Sequence, residues 1–250
     1  MRIRETAVAG AFYPAEKERL RDLITGLAKQ AEGSPEKDIN GIIVPHAGYI
    51  FSGKTACYGF KRIDDRFNKV VVLGPNHTVY TNRAIIDDND AWRSPFGEVK
   101  ISHDGIPEDL VRDSTPHIKE HSIEVQIPFL QHFISDFSLI PVIVGDLDED
   151  MVTRYAEVIN NLLDDRTLLV ISTDLSHFHT KEKAEMIDKH TIENIIRGKG
   201  TLDACGKNPL RIAIELCKKN NWKIELLDYS TSADFTGDES AVVGYASFRF

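Results

Sequence analysis

Three times along the chain a short, wholly apolar run rich in β-branched residues stops at a tight turn and a histidine. Gly41-Ile-Ile-Val44 leads into Pro45-His46, and Lys69-Val-Val-Val-Leu73 leads into Gly74-Pro-Asn-His77. Leu168-Leu-Val-Ile171 leads into Ser172-Thr-Asp-Leu-Ser-His-Phe-His179. Runs of this length, apolar at successive positions and bounded by Gly or Pro, predict strands buried on both faces. Ser138-Leu-Ile-Pro-Val-Ile-Val144 predicts another.

Elsewhere the apolar spacing becomes helical. Leu20, Leu23, Ile24 and Leu27 predict a helix over about 15–31, with Glu16 and Glu18 in the first turn where negative charge suits the helix dipole. Helices are also predicted over 53–63, 149–163 and 181–197. In the segment 120–132, Ile123, Ile127 and Leu130 share a helical face, with Pro128 at a kink or early-turn position. Asn208 as cap and Pro209 at the first position predict a last helix ending near Lys219. Short β-like pieces at 84–86 and 99–101 flank a loop or hairpin around Trp92 to Gly97, and 224–229 and 241–248 read as closing strands around a polar loop, 230–240. Alternating strands and helices, with no repeat or linker, predict a single three-layer α/β domain over residues 1–250, its central mixed sheet flanked by helices.

Composition narrows the function. A formal net charge of −9 disfavours nucleic acid and anionic membranes, which require a basic face. No run reaches the roughly 20 apolar residues of a membrane span, and the first ten residues are too polar and too few for a secretory signal. Cys57, Cys205 and Cys217 form no Cys-x-x-Cys pair, which predicts a reducing, cytoplasmic setting without a disulfide framework.

Ligands of open α/β sheets sit beyond the carboxyl ends of the strands, so His46, His77 and His177 are predicted at one edge. Imidazole is the commonest metal ligand, and two histidines with a carboxylate suit Fe(II), while related sets suit Zn²⁺ or Cu. His121, in Glu120-His-Ser-Ile-Glu-Val-Gln126, is a further ligand or proton-transfer group, and Asp174 a carboxylate that orients one of the imidazoles. Asp234, Asp238 and Glu239 in the late loop are third-ligand candidates by type. Cys205 and Cys217 read as structural, as do His103, His117, His132, His179 and His190 as ordinary surface or core residues. Ser176 and His177 are strand neighbours that point to opposite faces, so they form no hydrolase pair, and no Gly-x-Ser-x-Gly elbow, Gly-x-Gly-x-x-Gly or Walker loop occurs.

The motifs Pro45-His-Ala-Gly-Tyr49, Leu73-Gly-Pro-Asn-His77, Glu120-His-Ser-Ile-Glu-Val-Gln126, Ser172-Thr-Asp-Leu-Ser-His177 and Cys205-Gly-Lys-Asn-Pro209 resemble those of the Memo family, nearly end to end with Ala9-Gly-Ala-Phe-Tyr13 and Tyr229-Ser-Thr-Ser232. The resemblance implies a fold similar to the class III extradiol, LigB-like dioxygenases, which hold non-haem Fe(II) with two histidines and a glutamate. His46 and His77 would correspond to the histidine ligands, His177 to the acid/base histidine, and His121 would line the cleft. Animal members resemble an iron- or copper-binding version with a cysteine ligand in the late loop. That position falls at Phe235 here, so either the adjacent Asp234 ligates or the site has two protein ligands. Three functions compete: a metal-dependent redox enzyme acting on a small molecule, an adaptor holding a peptide or partner protein in the same cleft, and a zinc-dependent hydrolase or amidase that uses the same ligands with an activated water. Microbial members are associated with a radical-SAM enzyme and a third partner protein.

Overall fold

The four apolar runs become four adjacent parallel strands. The computed structural model describes residues 1–250. Its first half contains β1 (Ile3–Arg4), α1 (Lys17–Gln30), β2 (Gly41–Val44), α2 (Tyr49–Phe60), β3 (Lys69–Pro75), β4 (Ala84–Ile86), β5 (Ala91–Ser94), β6 (Gly97–Lys100), β7 (Val111–Arg112) and α3 (Gln126–Phe133). There follow β8 (Ser138–Val144), α4 (Glu149–Asn160), β9 (Thr167–Ser172), β10 (His177–His179), α5 (Lys181–Arg197), α6 (Lys207–Asn220), β11 (Glu225–Thr231), α7 (Ala233–Thr236) and β12 (Val242–Arg249).

Nine strands form a mixed sheet in the order β10-β12-β2-β9-β3-β8-β4-β7, with β11 paired to β12. The centre, β2-β9-β3-β8, is parallel, whereas β4 joins β8 and β12 joins β2 antiparallel. A second, three-stranded sheet places β1 parallel to β5 and closes the β5–β6 hairpin around the predicted turn.

Strand periodicity divides the core in two. Ile42, Val44, Val70, Val72, Leu168 and Val170 pack with residues of α1, α2 and α3. Their neighbours Ile43, Val71, Leu73, Leu169 and Ile171 pack with residues of α4, α5 and α6. Each such aliphatic side chain, fully buried, contributes about 1.5–3 kcal/mol of transfer free energy. The result is a mixed central sheet flanked by helices on both faces, and no helix is long and apolar enough to cross a membrane.

Helix starts differ from the sequence pattern. Helix α2 begins at Tyr49, directly after the His46 turn, and α3 begins only at Gln126 because residues before it form a turn tied by carboxylates. Helix α6 starts two residues ahead of Pro209, with Gly206 at its cap position; the Asn208 amide instead donates to the Gly145 carbonyl at 2.9 Å. The late polar loop contains the short helix α7.

Candidate metal centre

Three imidazoles meet at the carboxyl ends of the parallel strands. His46 follows β2, His77 follows β3, and His121 lies in the turn that enters α3; their ligating atoms fall within 4.8 Å of one another. Ring centroids are 5.3 Å apart for His46–His77, 5.5 Å for His46–His121 and 4.9 Å for the stacked pair His77–His121. The turn carrying His121 can close over β3 only because Gly74 lacks a side chain. A Cβ there would lie 2.6 Å from Ser122 Oγ and 2.7 Å from Ile123 Cγ1.

Hydrogen bonding decides which ring nitrogen faces the centre. The Ser172 hydroxyl donates its one proton to the Ser122 carbonyl at 2.6 Å, so it accepts from Gln126 Nε2 (2.8 Å) and from His46 Nδ1 (3.0 Å). His46 therefore carries its proton on Nδ1 and a lone pair on Nε2. His77 Nδ1 lies 3.0 Å from Glu120 Oε1, a carboxylate that only accepts, and the same assignment follows. Anchoring one ring nitrogen to an acceptor while the other stays open is how metal-ligating histidines are held.

Glu120 organises this edge. Besides His77 Nδ1 it accepts from the backbone N–H of His77 (2.6 Å), His121 (2.9 Å) and Ser122 (2.9 Å), and its Oε1 stands 3.5 Å from His121 Nδ1. Burial alone would raise its carboxyl, but the hydrogen bonds from His77 and Ser122 and the His77 charge hold it down to about 2. His77 moves above its ordinary value: burial opposes the shift, and the hydrogen bond and charge of Glu120 outweigh it. His46 is pushed well below its ordinary value by burial and then by His77 and His121; His121 is lowered chiefly by burial. Neutral imidazole is the ligating form.

The second carboxylate of the motif, Glu124, works on the fold. It accepts from the backbone of Ala7 (2.7 Å) and Val8 (3.0 Å), from Tyr13 Oη (2.7 Å) and from Arg4 Nη1 (2.8 Å). Arg4, itself buried, also donates to the carbonyls of His117 (2.7 Å) and Glu120 (2.6 Å) and lies 4.1 Å over the Trp92 ring. The turn bearing His121 is thus tied to the first strand of the protein.

Asp174 is buried, its Oδ1 accepting from the His46 backbone N–H at 2.8 Å and its Oδ2 4.0 Å from His46 Nε2; burial raises its pKa. It positions the His46 turn. His177 Nδ1 donates to the Leu175 carbonyl at 2.8 Å, leaving Nε2 open as a proton acceptor. The register of β10 against β12 shifts between His177 and His179, with Phe178 at φ 60° and exposed.

Asp234, a candidate third ligand in the sequence, sits elsewhere. Its carboxylate accepts from the Thr231 N–H at 2.7 Å and pairs with Lys181 at 3.4 Å, because α7 turns it back onto its own loop. Asp238 bonds Ser240 (2.7 Å) and Glu239 pairs with Lys181 (3.5 Å). The third member of the cluster is His121.

Cys205, read from the sequence as structural, touches the cluster. Its Sγ lies 3.2 Å from His46 Nε2 and accepts from the Asp174 N–H at 3.3 Å. No local pattern reveals this, since it depends on how α6 meets β9. Glu120 carried a signal, being adjacent to His121 in a motif otherwise rich in apolar residues.

Three imidazole nitrogens with an anchoring carboxylate and hydroxyl fit a transition metal, and His46, His77 and His121 would hold it through Nε2 of the first two and a ring nitrogen of the third. Such a donor set suits iron, copper and zinc alike.

The chain matches a family model described as Memo-like protein over residues 4–249. It is 37% identical over 272 aligned residues to a MEMO1 family protein of Aquifex aeolicus, covering all of both chains. A MEMO1 family protein of Thermoplasma acidophilum is 36% identical, with 98% of this chain and 97% of that one covered. Among solved structures, an uncharacterized protein from Escherichia coli K12 is similar in fold alone, at TM-score 0.51 and 10% identity over 85% of this chain and 99% of that one. With the motifs around all three clustered histidines inside the matched span, the chain belongs to the Memo-like family.

Proposed function

We propose that the protein is a metal-dependent oxidoreductase that holds Fe(II), with Cu or Zn²⁺ as alternatives, at His46, His77 and His121 and acts on a small molecule at the carboxyl edge of the sheet. The observation that carries this reading is the convergence of three imidazoles, two of them with Nδ1 anchored so that Nε2 faces inward. A bound metal supplies Lewis acidity and redox chemistry. The chain supplies the rest. Glu120 and Ser172 fix the rings of His77 and His46, Asp174 fixes the His46 backbone, and His177 Nε2 accepts or returns a substrate proton. The resemblance to class III extradiol dioxygenases supports an oxygen-dependent reaction, and three free cysteines support a reducing cytoplasmic compartment.

The test is metal content after anaerobic purification and reconstitution with Fe(II), Cu and Zn²⁺. Near-stoichiometric metal in the wild type, lost in His46→Ala, His77→Ala and His121→Ala, is the expected result. Absence of metal under every condition sinks the reading. Turnover that persists without oxygen would point to zinc-dependent hydrolysis instead.

A second reading has one observation in its favour. Ile50, Val79, Tyr80 and Phe178 are large apolar side chains left exposed, each within four residues of His46, His77 or His177. Exposed apolar side chains so close in sequence to the histidines suit a peptide or a partner protein, the radical-SAM system that the family resemblance implies being the partner to try first. Tyr80→Ser and Phe178→Ser should then weaken partner binding while metal content is unchanged.

A further inference from the structure

We propose that Asp188, a buried carboxylate on α5, is the positioning residue of His177: it holds residues 175–177 so that the imidazole keeps its proton on Nδ1 and its Nε2 stays basic. The inference rests on the proton-transfer role given to His177 above and deepens it. A charge on His177 bears on both His46 and Asp174, which places it at the same edge as the clustered imidazoles. Which nitrogen of a neutral imidazole carries the proton is set by the hydrogen bonds around the ring. For His177 the partner is the Leu175 carbonyl, which only accepts and lies 2.8 Å from Nδ1. That carbonyl must itself be held. Strand pairing does little here: β10 has three residues, and its register against β12 shifts between His177 and His179. Phe178 between them has φ 60°, a left-handed backbone that is unfavourable for any residue with a side chain.

The hold comes from Gly244 and Asp188. The Gly244 carbonyl accepts from the Leu175 N–H at 2.8 Å, and the Gly244 N–H donates to the Ser176 carbonyl at 3.0 Å. The Ser176 N–H, directly before His177, donates to Asp188 Oδ1 at 2.9 Å. Tyr229 Oη donates to Oδ2 of the same carboxylate at 2.8 Å and fixes its plane. Gly244 also makes the room, because a Cβ there would lie 1.9 Å from Asp188 Oδ2. Asp188 is fully buried and both of these donors are neutral. Burial raises its pKa, the hydrogen bonds from Ser176 and Tyr229 oppose the shift, and the Asp203 charge adds to it. A side chain needed only for packing would fill this space at lower cost without a carboxyl group. Tyr229 opens the motif Tyr229-Ser-Thr-Ser232, which the metal reading leaves unused; its hydroxyl and Gly244 converge on the one carboxylate that grips the His177 segment.

Long-range proton–nitrogen NMR correlation of the histidine rings tests this on the full, metal-free chain, at alkaline pH where the imidazoles are neutral. Each ring's tautomer is read directly, and a histidine free of such contacts favours Nε2–H. His177 is expected as Nδ1–H in the wild type and mainly as Nε2–H in Asp188→Ala, with His46 and His77 still Nδ1–H. Asp188→Asn, whose amide oxygen can accept from Ser176, should keep the wild-type pattern. Gly244→Ala displaces the carboxylate with its new Cβ, should shift His177 as Asp188→Ala does, and gives the answer if Asp188→Ala does not fold. Nε2–H on His177 in the wild type, or Nδ1–H retained in Asp188→Ala or Gly244→Ala, would overturn the proposal. So would simultaneous loss of Nδ1–H on His46 and His77, which would make Asp188 a general support of the fold. Metal content is measured separately, so its absence would remove the metal reading while the tautomer result still decides the role of Asp188.

Discussion

The Glu120 carboxylate grips His77 at two points, Oε1 to Nδ1 at 3.0 Å and Oε2 to the backbone nitrogen at 2.6 Å. Ring and main chain are therefore fixed by the same side chain. Glu120→Ala should lower metal affinity about 10–100-fold with all three histidines intact. Competition against a chromophoric chelator measures it, and wild-type affinity in the variant would mean that the grip is irrelevant to the centre.

Asp234 gives the opposite expectation. Its carboxylate is engaged by Thr231 and Lys181, so Asp234→Ala should leave metal stoichiometry unchanged and loosen only the late loop. Loss of metal in this variant would move the third ligand from His121 to Asp234.

Arg4 and Glu124 form an ion pair with both side chains 2% exposed. Removing one partner strands the other charge in the core, which typically costs about 3–5 kcal/mol. Arg4→Met should show a loss of that order in denaturant unfolding, accompanied by weaker metal binding because the His121 turn loses its tie.

His117 predicts an acid limb in stability. Burial, with help from the Arg4 charge and against the Asp87 charge, lowers its pKa from 6.5 to about 4, and its Nε2–H donates to the Ile85 carbonyl at 3.2 Å. The folded-state value is depressed, so the unfolded chain takes up the proton first. The contribution is complete above pH 6.5 and is lost as pH falls toward 4. The loss should be on the order of 3 kcal/mol, and His117→Gln should flatten that limb of a pH–stability curve measured by urea unfolding.

Much of this molecule can be read from local pattern, and the remainder fails for specific reasons. Continuous β-branched runs at β2, β3, β8 and β9 announce strands covered on both faces, and they are the parallel centre of the sheet. Histidines placed just beyond such strands are brought together because parallel strands share one carboxyl edge. The 120–125 turn is misjudged as helix since Ile123 and Ile127 keep helical spacing, while Glu120 and Glu124 take backbone N–H groups from distant segments. The Asn208 cap fails in the same way: Gly206 is required by the close approach to Thr173, which moves the helix start upstream. The contacts of Asp234 with its own loop and of Cys205 with His46 are equally invisible in local pattern, because each depends on tertiary packing, α7 folding back in one case and α6 meeting β9 in the other.

Strand β1 is two residues long and contributes little sheet, yet its Arg4 reaches the carbonyl of Glu120 across 116 residues of sequence. The amino-terminal segment behaves as a latch on the turn that carries His121. Limited proteolysis that trims the chain past Arg4 should therefore weaken metal binding at a site whose own residues are all still present. A metal-binding assay on a clipped preparation would report an empty site and mislead about which residues form it.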